Sequence, residues 1–218
     1  MYEFDMSGLE LFTGGPLDTN AYFLETPGGN VLFDAPQGSD AHFAGRRVDW
    51  LILTHGHFDH TADAAGIRRR HGCRIGFHED TTPMVKDREF FRRFGFELEI
   101  EPFDADFLIG EGDVTEVAGL AMQALLVPGH CPGSLCFFLR DRGILIGGDV
   151  LFRGGVGGGI CPVGTGHCSS GASSRSSSPC RRIRLCCRGT GRRQRLVRRG
   201  RRIPTWETDF FSSTVRNV

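Results

Sequence analysis

Three imidazoles and a carboxylate stand within six residues in the string Thr54-His55-Gly56-His57-Phe58-Asp59-His60. Nitrogen and oxygen donors at that density are what a zinc-type site needs, because each imidazole offers a lone pair and the carboxylate offers charge. Solvated or core histidines do not crowd in this way, so a polar loop leading into a helix is the poorer reading. Gly56 is expected to let the backbone bend so that His55 and His57 converge on one ion. Asp59 and His60 then project from the entry to the next helix, where a second ion can sit. Two divalent ions acidify a shared water and polarise a carbonyl, which is the chemistry of metal-assisted hydrolysis. Asp59 is the carboxylate placed both to ligate and to handle the proton.

The elements that must position these groups are apolar strands ending in glycine. Trp50-Leu51-Ile52-Leu53 runs directly into the histidine loop. Strand-like residues 124–127 end at Pro128-Gly129-His130-Cys131-Pro132-Gly133-Ser134, and Ile144-Leu145-Ile146 ends at Gly147-Gly148-Asp149. One histidine or aspartate after a strand is weak by itself; the shared placement is the signal, and it puts His130 and Asp149 beside the loop. Further strands are expected over residues 9–12, 21–24, 31–33, 74–77, 114–117, 122–127 and 135–139. A helix is expected over residues 61–71, capped by Thr61 or Asp59 and closed by Gly72, with a second helical piece over 88–94. Many strands with few helices predict an α/β fold of sheet layers covered by helices.

The 218 residues, 39% of them hydrophobic, suffice for one domain. No run approaches a membrane span, and the opening residues lack a basic flank and long apolar run, so a cytoplasmic chain is expected. The formal net charge of zero hides an asymmetry. Residues 1–155 hold 13 basic and 24 acidic side chains, a net of −11, whereas residues 156–218 hold 13 arginines and two acids, a net of +11. The latter part also holds five of the eight cysteines and a serine-rich run over residues 169–178. With no apolar periodicity to bury, it is expected to be disordered. A basic arm for nucleic acid and a cysteine-rich metal module are the alternatives, the second weakened by the adjacency of Cys186 and Cys187 and by missing C-x-x-C pairs. Elsewhere, His42 and His71 read as surface residues, His78 follows a strand without a partner motif, and Cys73 and Cys136 read as core cysteines.

The set His55-x-His57-x-Asp59-His60, then Pro-Gly-His130, then Gly-Gly-Asp149 resembles the metallo-β-lactamase superfamily. The wording Gly129-His130-Cys131-Pro132-Gly133-Ser134, with Gly148-Asp149-Val150-Leu151-Phe152, is most similar to its short glyoxalase II-like hydrolases. The resemblance covers residues 1–157 and implies an αββα sandwich, incomplete at the C-terminus, with a two-metal centre at one edge. It implies that His55, His57 and His130 hold one ion, that Asp59 and His60 hold the other, and that Asp149 bridges them. The ions implied are zinc, with iron or manganese as alternatives. Asp34, after the strand Val31-Leu32-Phe33, matches a position beneath the metals and would orient a ligand histidine, or is a simple turn aspartate. Cys131, next to a ligand, would sit just behind it. The activity implied is attack of metal-bound hydroxide on a thioester of the acyl-glutathione type, a small-molecule substrate.

After Gly155 the resemblance stops, and one expected ligand histidine is absent together with the closing strands and helices. Residues 158–164 can be encoded GGT GGG ATC TGC CCG GTG GGG, which, read from the third base, gives Trp-Asp-Leu-Pro-Gly-Gly, a string of the kind this subfamily carries there. Residues 185–191, encoded TTG TGC TGC CGG GGC ACG GGC, give Val-Leu-Pro-Gly-His-Gly in the same shifted frame, which is the missing loop. Two such strings in one frame and in order point to a base lost near residues 157–159. Segment 158–218 is therefore read as off-pattern. Alternatively, the chain as written is inactive, or is a hydrolase domain with a basic arm.

Overall fold

The structure is a computed structural model and describes residues 5–96, 99–152, 155–156 and 185–187. The first half of the chain builds one mixed sheet. Strands β1 (Leu9–Gly14), β2 (Thr19–Thr26) and β3 (Gly29–Phe33) form an antiparallel meander, and β4 (Trp50–Ile52), β5 (Arg74–Phe77) and β6 (Phe107–Leu108) add to it in parallel, in the order β1-β2-β3-β4-β5-β6. Helices fill the connections: α1 (Ser39–His42), α2 (Phe58–Thr61), α3 (Ala64–His71) and α4 (Thr82–Lys86). The second sheet is built from β7 (Val114–Val117), β8 (Leu120–Leu126), β9 (Leu135–Leu139) and β10 (Ile144–Ile146), all antiparallel. A short pair, β11 (Leu151–Phe152) with β12 (Gly155–Val156), follows, and β13 (Leu185–Cys187) adds to β10 in parallel.

Alternation along the strands explains the layers. On β2, Ala21 and Phe23 face one side and Tyr22 and Leu24 the other; on β3, Leu32 opposes Val31 and Phe33. Both faces are apolar because both are covered, as expected where parallel strands are flanked by helices. Phe23, Leu32, Leu51 and Ile75 meet Phe43, Ala64, Ile67 and Val85 from the helical side. On the opposite face Leu24, Val31, Phe33 and Ile52 pack against Met122, Ala124, Leu135, Phe137, Ile144 and Ile146 of the second sheet, with Phe33 and Phe137 rings 5.9 Å apart. Among the described residues this gives helices, sheet, sheet; of segment 158–218 only residues 185–187 are described, so the expected disorder, the basic arm and the rest of the frame-shifted strings lie outside them. The strand β13 was not anticipated from the composition of that segment.

Two helical expectations are corrected. Residues 61–71 do not form one helix: the chain breaks at Ala62–Asp63 between α2 and α3. The Asp63 amide donates to the Ala35 carbonyl at 3.0 Å, and its carboxylate accepts from the amides of Gly38 (2.8 Å) and Asp40 (3.0 Å), so long-range bonds override the helical period. The predicted closure by Gly72 holds, with φ 65° and its amide bonded to the Arg68 carbonyl. Residues 88–94 form a turn and a 3-10 helix, Phe91–Phe94, rather than an α-helix. There the Asp87 carboxylate captures the Glu89 amide, and Phe90 and Phe91 bury against Met84, Ile100 and Cys131.

Candidate metal centre

The ends of β4, β8 and β10 meet at one edge of the sandwich and bring together every residue proposed from sequence as a ligand. His55 Nε2 lies 3.1 Å from His57 Nδ1, which lies 3.0 Å from His130 Nε2. Three imidazole nitrogens bound tetrahedrally at about 2.0–2.1 Å from a zinc ion stand roughly 3.3 Å apart. The observed convergence is therefore close to what one ion asks for, and no arrangement of ring protons satisfies all three nitrogens as well. A second group, His55, His60 and Asp149, also has its donor atoms within 4.8 Å of one another, so His55 is common to both.

Asp59 stands slightly apart from these two tight groups. Its Oδ2 is 3.6 Å from His60 Nε2 and accepts a 2.7 Å hydrogen bond from the hydroxyl of Thr19. Asp149 spans the two sides, with Oδ1 3.2 Å from His60 Nε2 and Oδ2 3.7 Å from His130 Nε2. His60 Nε2 is fully buried and forms no well-made hydrogen bond, which is the state of a nitrogen reserved for an ion. The donor set thus fits divalent ions on the chemistry of the residues themselves.

Beneath the cluster, Asp34 determines which nitrogens carry protons. It is 3% exposed and adopts φ 62°, a left-handed conformation that turns the chain under the site at the end of β3. Its carboxylate can only accept. It takes the Thr54 amide at 2.8 Å, the Thr54 hydroxyl at 2.9 Å and His60 Nδ1 at 2.8 Å. His60 therefore donates from Nδ1 and keeps the Nε2 lone pair. Because the Thr54 hydroxyl spends its single proton on Asp34, it accepts from His55 Nδ1 at 3.0 Å, which leaves the His55 Nε2 lone pair facing the cluster. The expectation that Asp34 orients a ligand histidine holds for His60 directly and for His55 through Thr54.

The electrostatics divide the two histidines. Burial, aided by the neighbouring His60, His57 and His130, pushes the His55 pKa well below the ordinary imidazole value, so it stays neutral. Burial would lower His60 as well, but the carboxylates of Asp34, Asp149 and Asp59 outweigh it and hold its pKa well above that value.

Thr54 and Thr19 were missed from sequence as functional positions, since a threonine beside a histidine carries no signal until its hydroxyl has a partner. Thr54 also joins the two sheets: its carbonyl accepts the Leu135 amide at 2.8 Å, and a Cβ on Gly148 would come within 2.6 Å of its Oγ1. Gly148, at φ 49°, is thus required by both conformation and space, and it sets Asp149 against the cluster. The role expected of Gly56 is different. Its φ lies outside the left-handed region, and a Cβ there would lie 2.8 Å from Met84 Cε and 3.0 Å from Met84 Cβ, so the position is set by close packing against Met84 and not by a bend.

Of the remaining candidates, His42 is exposed and stacks on Phe12. His71 is less of a surface residue than expected, because its Nε2 is buried without a hydrogen-bond partner. His78 is buried and accepts the Asp80 amide at 3.2 Å through Nδ1, a local cap rather than a ligand. Cys73, Cys131 and Cys136 are buried, and burial pushes the Cys73 thiol up to about 11. Cys131 packs its sulfur 3.6 Å from that of Met84, behind His130. No helix among the described residues is long and apolar enough to cross a membrane.

Comparison with known proteins agrees with this geometry. The chain is 30% identical over 154 residues to the probable metallo-hydrolase YqgX of Bacillus subtilis, covering 66% of this chain and 71% of that protein. It is 34% identical over 110 residues to the hydroxyacylglutathione hydrolase GloC of Haemophilus influenzae, where it spans about half of that protein (51%) and 49% of this chain is matched. Among solved structures, TTHA1623 in a di-iron-bound form superposes with a TM-score of 0.59 at 31% identity, and the BLEG-1 B3 metallo-beta-lactamase with 0.61 at 25% identity; each match covers 68% of this chain and 75% of the other. The family model of the metallo-beta-lactamase superfamily matches residues 14–183, and with the strand-end cluster this places the chain in the metallo-β-lactamase superfamily.

Proposed function

We propose that the chain is a metal-dependent hydrolase that cleaves a thioester of the acyl-glutathione type. The observation that carries the reading is the pair of nitrogen and oxygen clusters sharing His55. His55, His57 and His130 would hold one divalent ion, Asp59 and His60 the other, and Asp149 would reach both. Bound there, such ions supply Lewis acidity toward a carbonyl and make a water ionisable near neutral pH. The protein's own part is to fix the imidazole lone pairs through Asp34 and Thr54 and to accept the water's proton at the Asp59 carboxylate. Zinc is the proposed metal; the di-iron form of TTHA1623 supports iron as the alternative. The thioester preference is supported by the similarity to hydroxyacylglutathione hydrolases, such as those of Haemophilus influenzae and Rhodopseudomonas palustris. The test is steady hydrolysis of a glutathione thioester by chain loaded with zinc or iron. Metal-loaded chain that leaves the thioester intact while cleaving a lactone or phosphodiester would overturn the substrate, and chain that takes up no metal would overturn the mechanism.

We further propose that segment 158–218 is written one base out of frame. The support is in the sequence: residues 158–164 and 185–191 can each be encoded so that one and the same shifted frame spells Trp-Asp-Leu-Pro-Gly-Gly and Val-Leu-Pro-Gly-His-Gly, in that order. Resequencing the DNA for residues 153–162 decides it. An extra base there restores the ligand loop; an unchanged reading leaves a chain that holds its second ion through Asp59, His60 and Asp149 alone and turns over poorly.

A further inference from the structure

Thr19 is the first residue of β2 and is fully buried. Its hydroxyl does not bond the backbone of its own hairpin but crosses to α2, donating at 2.7 Å to Asp59 Oδ2, 40 residues away in sequence. This bond reaches into the candidate centre from β2 and ends on the residue proposed to move the proton. A carboxylate is a pure acceptor here, and a buried hydroxyl has one proton to give, so the direction of the bond is fixed. Rotation of the carboxylate would either break it or leave the buried hydroxyl unsatisfied, at a real cost in free energy.

We propose that Thr19 is a positioning residue for Asp59: by holding Oδ2, the oxygen that also lies 3.6 Å from His60 Nε2, it fixes the rotation of the carboxylate that Asp59 offers to an ion. This deepens the reading of Asp59 and His60 as the second ion site and rests on it. The same logic already operates beneath the cluster, where the Thr54 hydroxyl is committed to Asp34 and thereby fixes His55. Thr19 is the equivalent restraint from the opposite side, on a carboxylate instead of an imidazole. Its effect should fall on the second ion, because its hydroxyl ends on Asp59.

The experiment is a titration of the full chain with cobalt(II), following visible absorption and bound metal per chain, for the parent, Thr19→Val, Thr19→Ala, Thr19→Ser and Asp59→Asn. Thr19→Val is expected to bind the first equivalent as the parent does and the second about 10–100-fold more weakly, the usual range for residues that support a ligand. Thr19→Ser should restore the second equivalent and its spectrum, since it keeps the hydroxyl. Thr19→Ala serves if Val does not fold, as judged by a cooperative melt. Parent-like binding and spectrum in the Val or Ala variant overturns the inference if Asp59→Asn loses the second ion. If Asp59→Asn also binds both ions like the parent, the underlying assignment of Asp59 is what fails. A parent chain that takes up no second equivalent overturns both.

Discussion

The two sheets contribute to the metal edge in opposite ways. From the first sheet a single loop after β4 delivers His55, His57, Asp59 and His60 within one turn of chain, and the fold has only to orient them. From the second sheet, β8 and β10 deliver one group each, His130 and Asp149, which reach the loop only because the sheets are packed face to face. The supporting bonds follow the same division. Asp34 and Thr54 fix the loop histidines from within the first sheet, and the Leu135 amide on Thr54 and the tight turn at Gly148 tie the second sheet to that loop. A dense local motif needs only orienting bonds; dispersed groups first need the two sheets packed together.

That contrast is sharpest at His55, the residue common to both groups. His55→Ala should abolish the first ion, a loss larger than the roughly 10–100-fold expected of a supporting residue, and weaken the second because its ring lies beside His60 and Asp149, while His130→Ala should act on the first ion and leave His60 and Asp149 in place. Metal analysis of the two purified variants checks this; equal losses would mean that the two groups are one. Next in size, Asp34→Asn should weaken metal binding by about 10–100-fold, because the amide can no longer accept from both His60 and Thr54. Equilibrium dialysis against zinc measures it, and a parent-like affinity would remove Asp34 from the account.

Gly148→Ala tests the packing side of the comparison. A Cβ at φ 49° and 2.6 Å from Thr54 Oγ1 combines backbone strain with a clash, so a loss of about 1–3 kcal/mol in urea denaturation is expected, with the metal affinity falling as Asp149 shifts. An unchanged midpoint would show that the β10 turn relaxes freely. The smallest effect is expected away from the edge, at Asp40 on α1, whose carboxyl the Arg70 guanidinium, hydrogen-bonded at 2.7 and 2.8 Å, holds below its usual value against the opposing effect of partial burial. A lowered folded-state pKa stabilises above the unfolded carboxyl pKa, and that stability is lost as pH falls through the folded value. Asp40→Asn should therefore be slightly less stable than the parent at neutral pH and converge with it in strong acid, without any change in metal binding. A constant difference across an acid titration would assign the effect to something other than this ion pair.

Much of the site was legible in the order of residues. Ligand types crowded into His55-Gly56-His57-Phe58-Asp59-His60, and the recurrence of apolar strand, glycine and ligand at His130 and Asp149, are local features that survive without coordinates. The strands β2 to β5 and β7 to β10 were equally legible, because burial on one or both faces writes itself into alternation or into apolar runs. The breaks were not: the α2–α3 division depends on Asp63 bonding Ala35, Gly38 and Asp40, and the 3-10 turn at Phe91–Phe94 depends on a third apolar cluster around Met84.

What only the tertiary structure decided is who holds whom. Sequence led to the expectation of Asp59 and His60 at a second ion, and the fold added that His55 lies in both donor groups, that Asp34 holds His60 directly and His55 through the Thr54 hydroxyl, and that Thr19 reaches Asp59 from β2. The physical reason is range. A ligand's identity is a property of one side chain and is written in the chain itself, but its protonation and orientation depend on hydrogen-bond partners up to 40 residues away, which only folding brings within 3 Å.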